Sequence, residues 1–211
     1  MIKKVIFDID NTLIMSDEDY IMKYQDVLRK YNGNDTYEGA LQLYKCIGEY
    51  EKEVSPASKE SLLEFINNYY GTSYSMDIVI DILDAVSTWY KPLDDNLIDA
   101  LDYLSEKYEL YVLTNWFTEC QKKRLDKVGI THYFKEIIGP ERYVKPQKES
   151  FEYFCNDVEA SECVVIGDRI DIDIDIPLKL GMRALLYDYK NRYQDLEYES
   201  FNNWNQIKNL L

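Results

Sequence analysis

Residues 5–12 read Val5-Ile6-Phe7-Asp8-Ile9-Asp10-Asn11-Thr12. The first three are large and apolar, the short continuous run expected of a strand buried on both faces. The run stops at Asp8. In extended chain the side chains of residues i and i+2 point to the same side, so Asp8 and Asp10 can converge. Two neighbouring carboxylates at a buried strand end repel each other, and a cation or a proton must offset that repulsion. Either remedy is useful to an enzyme.

Outward from this stretch the pattern is helical before it alternates. Ser16 begins a helical pattern with Asp19 as capping partner, and Tyr20, Tyr24, Val27, Leu28 and Tyr31 recur at helical spacing until Gly33. Further helices are expected over 37–50, 58–70 and 75–90, and Pro92 ends the block. Beyond it come a helix over 94–107, a strand over 110–113, a helix over 117–128 stopped by Gly129, and a short strand over 136–138. A helix over 148–156, strands over 163–166 and 183–187, and a closing helix over 201–211 complete the pattern. Alternating strands and helices imply a parallel sheet with right-handed crossovers. The helices between the first two strands are too many for one crossover and read as an insertion. The expected fold is α/β: a Rossmann-like parallel sheet core flanked by helices, formed by 1–14 and 92–211, with an all-helical domain inserted over 15–91.

The bulk properties remove several functions. A net charge of −15, from 39 acidic and 24 basic residues, repels nucleic-acid backbones and anionic lipid. Of the 211 residues 46% are hydrophobic, enough for a substantial core, yet no stretch is apolar enough to span a bilayer. The apolar run after Lys3 and Lys4 is too short for a signal peptide, so the cytoplasm is the expected location. Cys46, Cys120, Cys155 and Cys163 form no CxxC pair and read as reduced, mostly buried thiols. The single histidine, His132, leaves no basis for a nitrogen-sulfur zinc site and argues against Ser-His-Asp chemistry. The 20 tyrosines are scattered and read as packing and surface cover.

Ligands of an open parallel sheet collect at the carboxyl ends of its strands. Thr114-Asn115 and Gly167-Asp168 end two further strands, and Val144-Lys145-Pro146 lies in a loop before a helix. These pieces are expected to face the crevice that Asp8 and Asp10 face. Asp168 adds a third carboxylate, and an all-oxygen donor set suits a hard divalent ion, Mg²⁺ when phosphate completes the shell. Lys145 is either an ordinary surface lysine or, in a crevice that takes a phosphoryl group, a fixed ammonium that offsets charge and orients nucleophile and phosphate; Thr114 and Asn115 either simply end a strand or offer neutral donors to phosphoryl oxygens. Asp171, Asp173 and Asp175 match the 1-3-5 spacing of a calcium loop, but its sixth position holds Ile176 and its twelfth Met182, which excludes an EF-hand.

The set DIDNT (8–12), LTN (113–115), KP (145–146) and GDRIDID (167–173), in this order, resembles the haloacid dehalogenase superfamily of phosphohydrolases over nearly the whole chain. The resemblance implies that Asp8 attacks phosphorus and ligates Mg²⁺. It implies that Asp10 is the general acid-base and gives its backbone carbonyl to the metal, with Thr12 supporting the motif. Thr114, Asn115 and Lys145 match phosphoryl-binding positions, Asp168 the metal-ligating acid of the last motif, and Asp173 the acid that supports the lysine or a metal-bound water. The insert over 15–91 matches the family's helical cap. The alternation over 170–176 reads as a strand by period, but the family has a helix beginning nearby, and we follow the family, with Pro177 making its first turn irregular.

The implied function is hydrolysis of a small phosphorylated metabolite through an aspartyl-phosphate. A sugar phosphomutase would share every core residue. A dehalogenase would have no use for the metal set, and a non-catalytic regulatory protein on this fold would usually have lost a nucleophile or ligand. The stretch 107–154, through LTNWF, the segment 121–125 and KP, resembles the pyrimidine nucleotidase-like branch, which implies a nucleoside monophosphate as substrate; Trp116 either stacks on its base with Tyr20 or Tyr24 or only packs under the cap.

Overall fold

The computed structural model describes residues 1–14, 19–92, 94–193 and 197–211, with backbone alone for Asp19 and Tyr20. Ser16, the expected helix start, lies outside the described residues.

The strands β1 (Lys4–Phe7), β2 (Glu109–Leu113), β3 (Phe134–Ile138), β4 (Cys163–Gly167), β5 (Arg183–Tyr187) and β6 (Ser200–Phe201) form one sheet in the order β3-β2-β1-β4-β5-β6. Every pairing is parallel. β1 lies beside β2 on one edge and β4 on the other, with Phe7 opposite Val112 and Ile166. This is the strand order of a dinucleotide-binding α/β sheet, whose direction of winding reverses beside β1 and opens a crevice there. The strand alternation of β1 explains the layers. Val5 and Phe7 face a core shared with α5 (Leu97–Ser105) and the C-terminal α9 (Ile207–Leu210). Ile6 faces the opposite core with Leu113, Val165, Phe151, Phe154 and Met182.

The insert has its own apolar centre. Helices α1 (Asp19–Lys30), α2 (Tyr37–Glu53), α3 (Lys59–Tyr70) and α4 (Met76–Ser87) bury Tyr24, Leu43, Tyr50, Ile66 and Ile82 in a cluster distinct from both sheet cores. Their ends are locally specified. Thr36 caps α2 by accepting from Gly39 N at 3.1 Å, and Ser58 caps α3 through a reciprocal pair with Ser61. Gly71, at φ 63°, ends α3 in the left-handed conformation that glycine adopts without strain. Trp116, Phe117 and Cys120, beside and within α6 (Thr118–Lys127), join the insert's cluster.

Two expected helices are shorter than their periodicity suggests. The helix expected over 94–107 begins at Leu97, because Asp94 accepts from Asn96 N at 2.8 Å and from Trp204 N at 3.0 Å and so stays outside it. The closing helix expected over 201–211 loses its start to β6, since Phe201 pairs with Tyr187, and turns helical only from Trp204. The segment over 148–156 divides into α7 (Lys148–Glu152) and a 3₁₀ turn over Tyr153–Cys155. Ile170–Ile174 forms a π-helical turn that leads into α8 (Asp175–Lys179), so the strand suggested by alternation does not form and the turn before Pro177 is irregular, as expected.

Trp204 is fully buried against Phe7, Tyr187 and Phe201, with ring centroids 6.2, 5.0 and 5.2 Å away. It ties the C-terminal segment to the central strand. Trp204→Ala is expected to destabilise by about 3–5 kcal/mol. In a chain of this length that lowers Tm by roughly 6–20 °C, which thermal unfolding followed by circular dichroism measures.

Candidate active site

The ladder of β1 extends one residue past the strand, with Asp8 N donating to Ile166 O at 2.9 Å. The chain then turns sharply: Asn11 takes φ 63°, Asn11 N donates to Ile14 O and Thr12 N to Ile9 O. Asparagine tolerates this left-handed conformation better than a branched residue. The turn buries Ile9 and Thr12 and leaves Asp8 and Asp10 on the wall of a cavity of about 790 Å³ between the carboxyl end of the sheet and α2. The buried Thr12 hydroxyl has no hydrogen-bond partner among the described residues.

Lys145 is the centre of the site. It is 3% exposed, and its Nζ lies 2.6 Å from Asp8 Oδ1 and 2.7 Å from Asp173 Oδ1. Its backbone is held by Asn115, whose carboxamide donates to Lys145 O at 2.8 Å and accepts from Lys145 N at 2.8 Å. The sequence reading gave Asn115 to the phosphoryl group. The structure places its side chain on the lysine's main chain. Asp173 accepts from Arg169 N at 3.2 Å and crowds β4: a Cβ on Gly167 would sit 2.4 Å from the Asp173 side chain, so only glycine fits there. Asp168 receives Arg192 Nη2 at 2.9 Å.

Asp8, Asp168 and Asp173 each offer an oxygen within 4.8 Å of the others. This all-oxygen cluster fits a hard divalent ion such as Mg²⁺. The Asp10 side chain is not part of it and turns to α6. Its Oδ1 lies 2.8 Å from Arg124 Nη1, and its Oδ2 accepts from Gln121 Nε2 at 2.9 Å. The same Gln121 nitrogen donates to Thr114 Oγ1 at 2.9 Å. Gln121 and Arg124 are fully buried. Sequence reasoning used the segment 121–125 only for its resemblance and missed these two roles. The signal was there: Phe117, Gln121, Arg124 and Val128 recur at helical spacing, so two polar residues interrupt the inward stripe of α6.

Trp116 lines the cavity but is 5% exposed, its Nε1 donating to Cys120 Sγ at 3.2 Å and its ring edge-on to Phe117. Tyr24 is also a wall residue and 2% exposed, and burial pushes its hydroxyl pKa well above the usual value. The side chain of Tyr20 lies outside the described residues. From α2, Glu51 reaches the cavity, where burial, followed by repulsion from Asp10, pushes its carboxyl up to about 8.

The same physics governs the floor. Burial pushes Asp8 up to about 8; Lys145 opposes this, and Asp173, Asp168 and Asp10 add to it. Burial pushes Asp168 up to about 6 against the pull of Arg192. Burial alone would lower Lys145, but Asp173 and Asp8 hold it above the ordinary lysine value. For a carboxyl raised in the folded state, the native chain binds more protons than the unfolded chain between the two pKa values. Its contribution to stability is complete below pH 3.8 and is lost as pH rises to about 8. Asp8→Asn, which mimics the neutral acid, should therefore raise the Tm of the metal-free chain by several degrees more at pH 8 than at pH 5. A gain independent of pH would contradict the assignment.

The haloacid dehalogenase-like hydrolase family model matches residues 2–181. The chain is 24% identical to the glyceraldehyde 3-phosphate phosphatase of Methanocaldococcus jannaschii, over 100% of this chain and 96% of that protein. It is 22% identical to human N-acylneuraminate-9-phosphatase, over 90% of this chain and 84% of that protein. The magnesium-bound structure of the putative HAD-hydrolase YfnB from Bacillus subtilis superposes with a TM-score of 0.75 at 18% identity, over 100% of this chain and 98% of that one, a likeness of fold. A family match across most of the chain, on a sheet of this topology, makes the protein a member of the haloacid dehalogenase-like hydrolases.

Proposed function

We propose that the chain is a Mg²⁺-dependent phosphatase of a small phosphorylated metabolite, with Asp8 as nucleophile and Asp10 as acid-base. The observation that carries this reading is the placement of Asp8, anchored by Lys145 at 2.6 Å, on a cavity wall that also presents Asp10. The named relatives support the reaction class, since they are phosphatases of small phosphorylated compounds. Asp8, Asp168 and the backbone of Asp10 would hold the ion. Once bound, Mg²⁺ supplies the positive charge that keeps the clustered carboxylates ionised beside an incoming phosphoryl group.

Asp8 attacks phosphorus, a P–O bond to the leaving group breaks, and the leaving oxygen takes a proton from Asp10. Water then attacks the aspartyl-phosphate, gives its proton to Asp10, and releases phosphate with Asp8 restored. Thr114 and Lys145 hold the phosphoryl oxygens through a hydroxyl and an ammonium. Asn115 acts one step back, by fixing the backbone of Lys145.

The insert over 15–91 serves as the cap that excludes bulk water and selects substrate, because α2 supplies Glu51, Lys52 and Tyr44 to the same cavity. A carboxyl facing the leaving group suits a hydroxylated carbon skeleton, which offers hydrogen-bond donors. A nucleoside monophosphate that stacks on Trp116 gains less from this wall, since that ring is packed and its Nε1 already bonded. No helix among the described residues is long and apolar enough to cross a membrane. The free cysteines and the acidic surface suit a reducing cytoplasm.

Hydrolysis of 4-nitrophenyl phosphate should vanish in EDTA and return with Mg²⁺, while Ca²⁺, larger and looser in coordination, substitutes poorly. Asp8→Asn should fold and fall to the assay floor. Full turnover in chelator, or in a pure Asp8→Asn preparation, would overturn the mechanism. Asp10→Asn should slow phosphoenzyme formation from alkyl phosphates far more than from 4-nitrophenyl phosphate, whose leaving group departs without a proton.

A further inference from the structure

We propose that Arg124 and Gln121 are positioning residues for Asp10, an inference that rests on the acid-base role given to Asp10 above. The geometry is a two-pronged clamp. Arg124 Nη1 reaches one carboxylate oxygen at 2.8 Å, and Gln121 Nε2 donates to the other at 2.9 Å. The prongs brace each other, because Arg124 Nη1 also donates to Gln121 Oε1 at 2.6 Å. Arg124 is fixed from behind, with Nε donating to Trp89 O at 2.7 Å and its guanidinium carbon 4.9 Å from the centre of the Trp89 ring.

A purely structural role explains this poorly. Arg124 is fully buried, and its Nη2 has no hydrogen-bond partner among the described residues. Burying a guanidinium with one nitrogen unsatisfied is unfavourable, and an apolar residue of similar volume commonly serves packing better. What an apolar residue cannot do is hold a carboxylate in one rotamer. The Asp10 side chain is 36% exposed toward the cavity, whereas the side chains that hold it are not. The working end of Asp10 thus faces the reacting groups, while its orientation is set from the protein interior. A general acid-base must give and take its proton at one place, so a fixed orientation contributes directly to rate.

Gln121 extends the arrangement. Its amide nitrogen also donates to Thr114 Oγ1 at 2.9 Å, as Trp116 N does at 3.3 Å, so the threonine's own proton points away from both donors. One side chain thereby sets both the acid-base and a phosphoryl-binding hydroxyl.

The test is the lifetime of the aspartyl-phosphate formed from 4-nitrophenyl phosphate, followed in single turnovers for the wild type, Arg124→Met, Gln121→Leu and Asp10→Asn. The double variants Asp10→Asn/Arg124→Met and Asp10→Asn/Gln121→Leu complete two cycles. Breakdown of the phosphoenzyme should slow about tenfold or more in each clamp variant, with kcat/KM for 4-nitrophenyl phosphate, which does not contain that step, changed less than about threefold. In the Asp10→Asn background the same substitutions should slow breakdown less than about twofold, because the residue they position no longer acts. Arg124→Lys, which keeps the charge, should recover part of the rate. If Arg124→Met does not fold, the Gln121 cycle decides alone. Equal losses in both backgrounds, or no loss in the wild-type background, overturn the clamp and leave the phosphatase reading intact. A wild-type chain that forms no phosphoenzyme, or an Asp10→Asn variant with normal breakdown, overturns the proposed mechanism and the clamp with it.

Discussion

The ammonium of Lys145, held between Asp8 and Asp173, is the interaction on which the site depends. Three carboxylates converge where β1 and β4 end, and burial removes the water that would screen them. One lysine offsets one negative charge, and Arg192 offsets another from the side. The remainder appears in the carboxyls themselves, with Asp8 pushed up to about 8 and Asp168 to about 6, both chiefly by burial. Burial and the mutual repulsion of the carboxyls both oppose ionisation, and a divalent ion in the cluster would favour it.

The backbone around that lysine is arranged to keep the cluster tight. Asn115, at the end of β2, fixes Lys145 by two bonds to its main chain, and Gly167 leaves Asp173 the space to reach it. Both follow from the strand order. β2 and β4 flank β1, so the residues just beyond Leu113 and Gly167 stand on either side of Asp8. The loop after β3 delivers the lysine from the next position in the sheet. Asp8, Thr114, Lys145 and Asp168 are thus each placed by a strand end or the loop beside it, close to the hydrogen bonds of the sheet.

The parts legible in the sequence were those whose cause is local. Val5-Ile6-Phe7 and Cys163-Val164-Val165-Ile166 are short, largely β-branched apolar runs that form paired, buried strands, and the acids that follow them lie at the sheet's carboxyl end. Phe201 was misread because its partner, the strand β5, is distant, and Asp94 because its side chain turns back on Asn96 N and also receives the remote amide of Trp204. Helical periodicity is blind to both. Arg124 and Gln121 escaped notice for the opposite reason. Their helix was recognised correctly, but a charged residue on a helix is read as solvated unless the apolar residues around it are weighed. The bonds from Asn115 to the main chain of Lys145 could not be read, since they depend on a few ångströms of loop geometry.

An insert of four helices placed directly after β1 ought to disturb the strand that carries Asp8. The structure shows why it does not. Ile14 and Pro92, at the two junctions, pair in an antiparallel bridge, so the chain leaves and re-enters the core at one point. An excursion whose ends are adjacent imposes no stretching on the sheet, and its entropy of closure grows only slowly with length. The insert is then free to bury its own apolar cluster, which borrows Trp116, Phe117 and Cys120 from the core. The borrowing explains the composition of α6. Cys120 packs into the insert, Leu125 into the sheet core, and Gln121 and Arg124 occupy the angle between them, facing Asp10. A single short helix thereby joins the helical insert, the sheet and Asp10: Cys120 Sγ donates to Leu83 O in the insert, and Arg124 bonds both Trp89 O and Asp10.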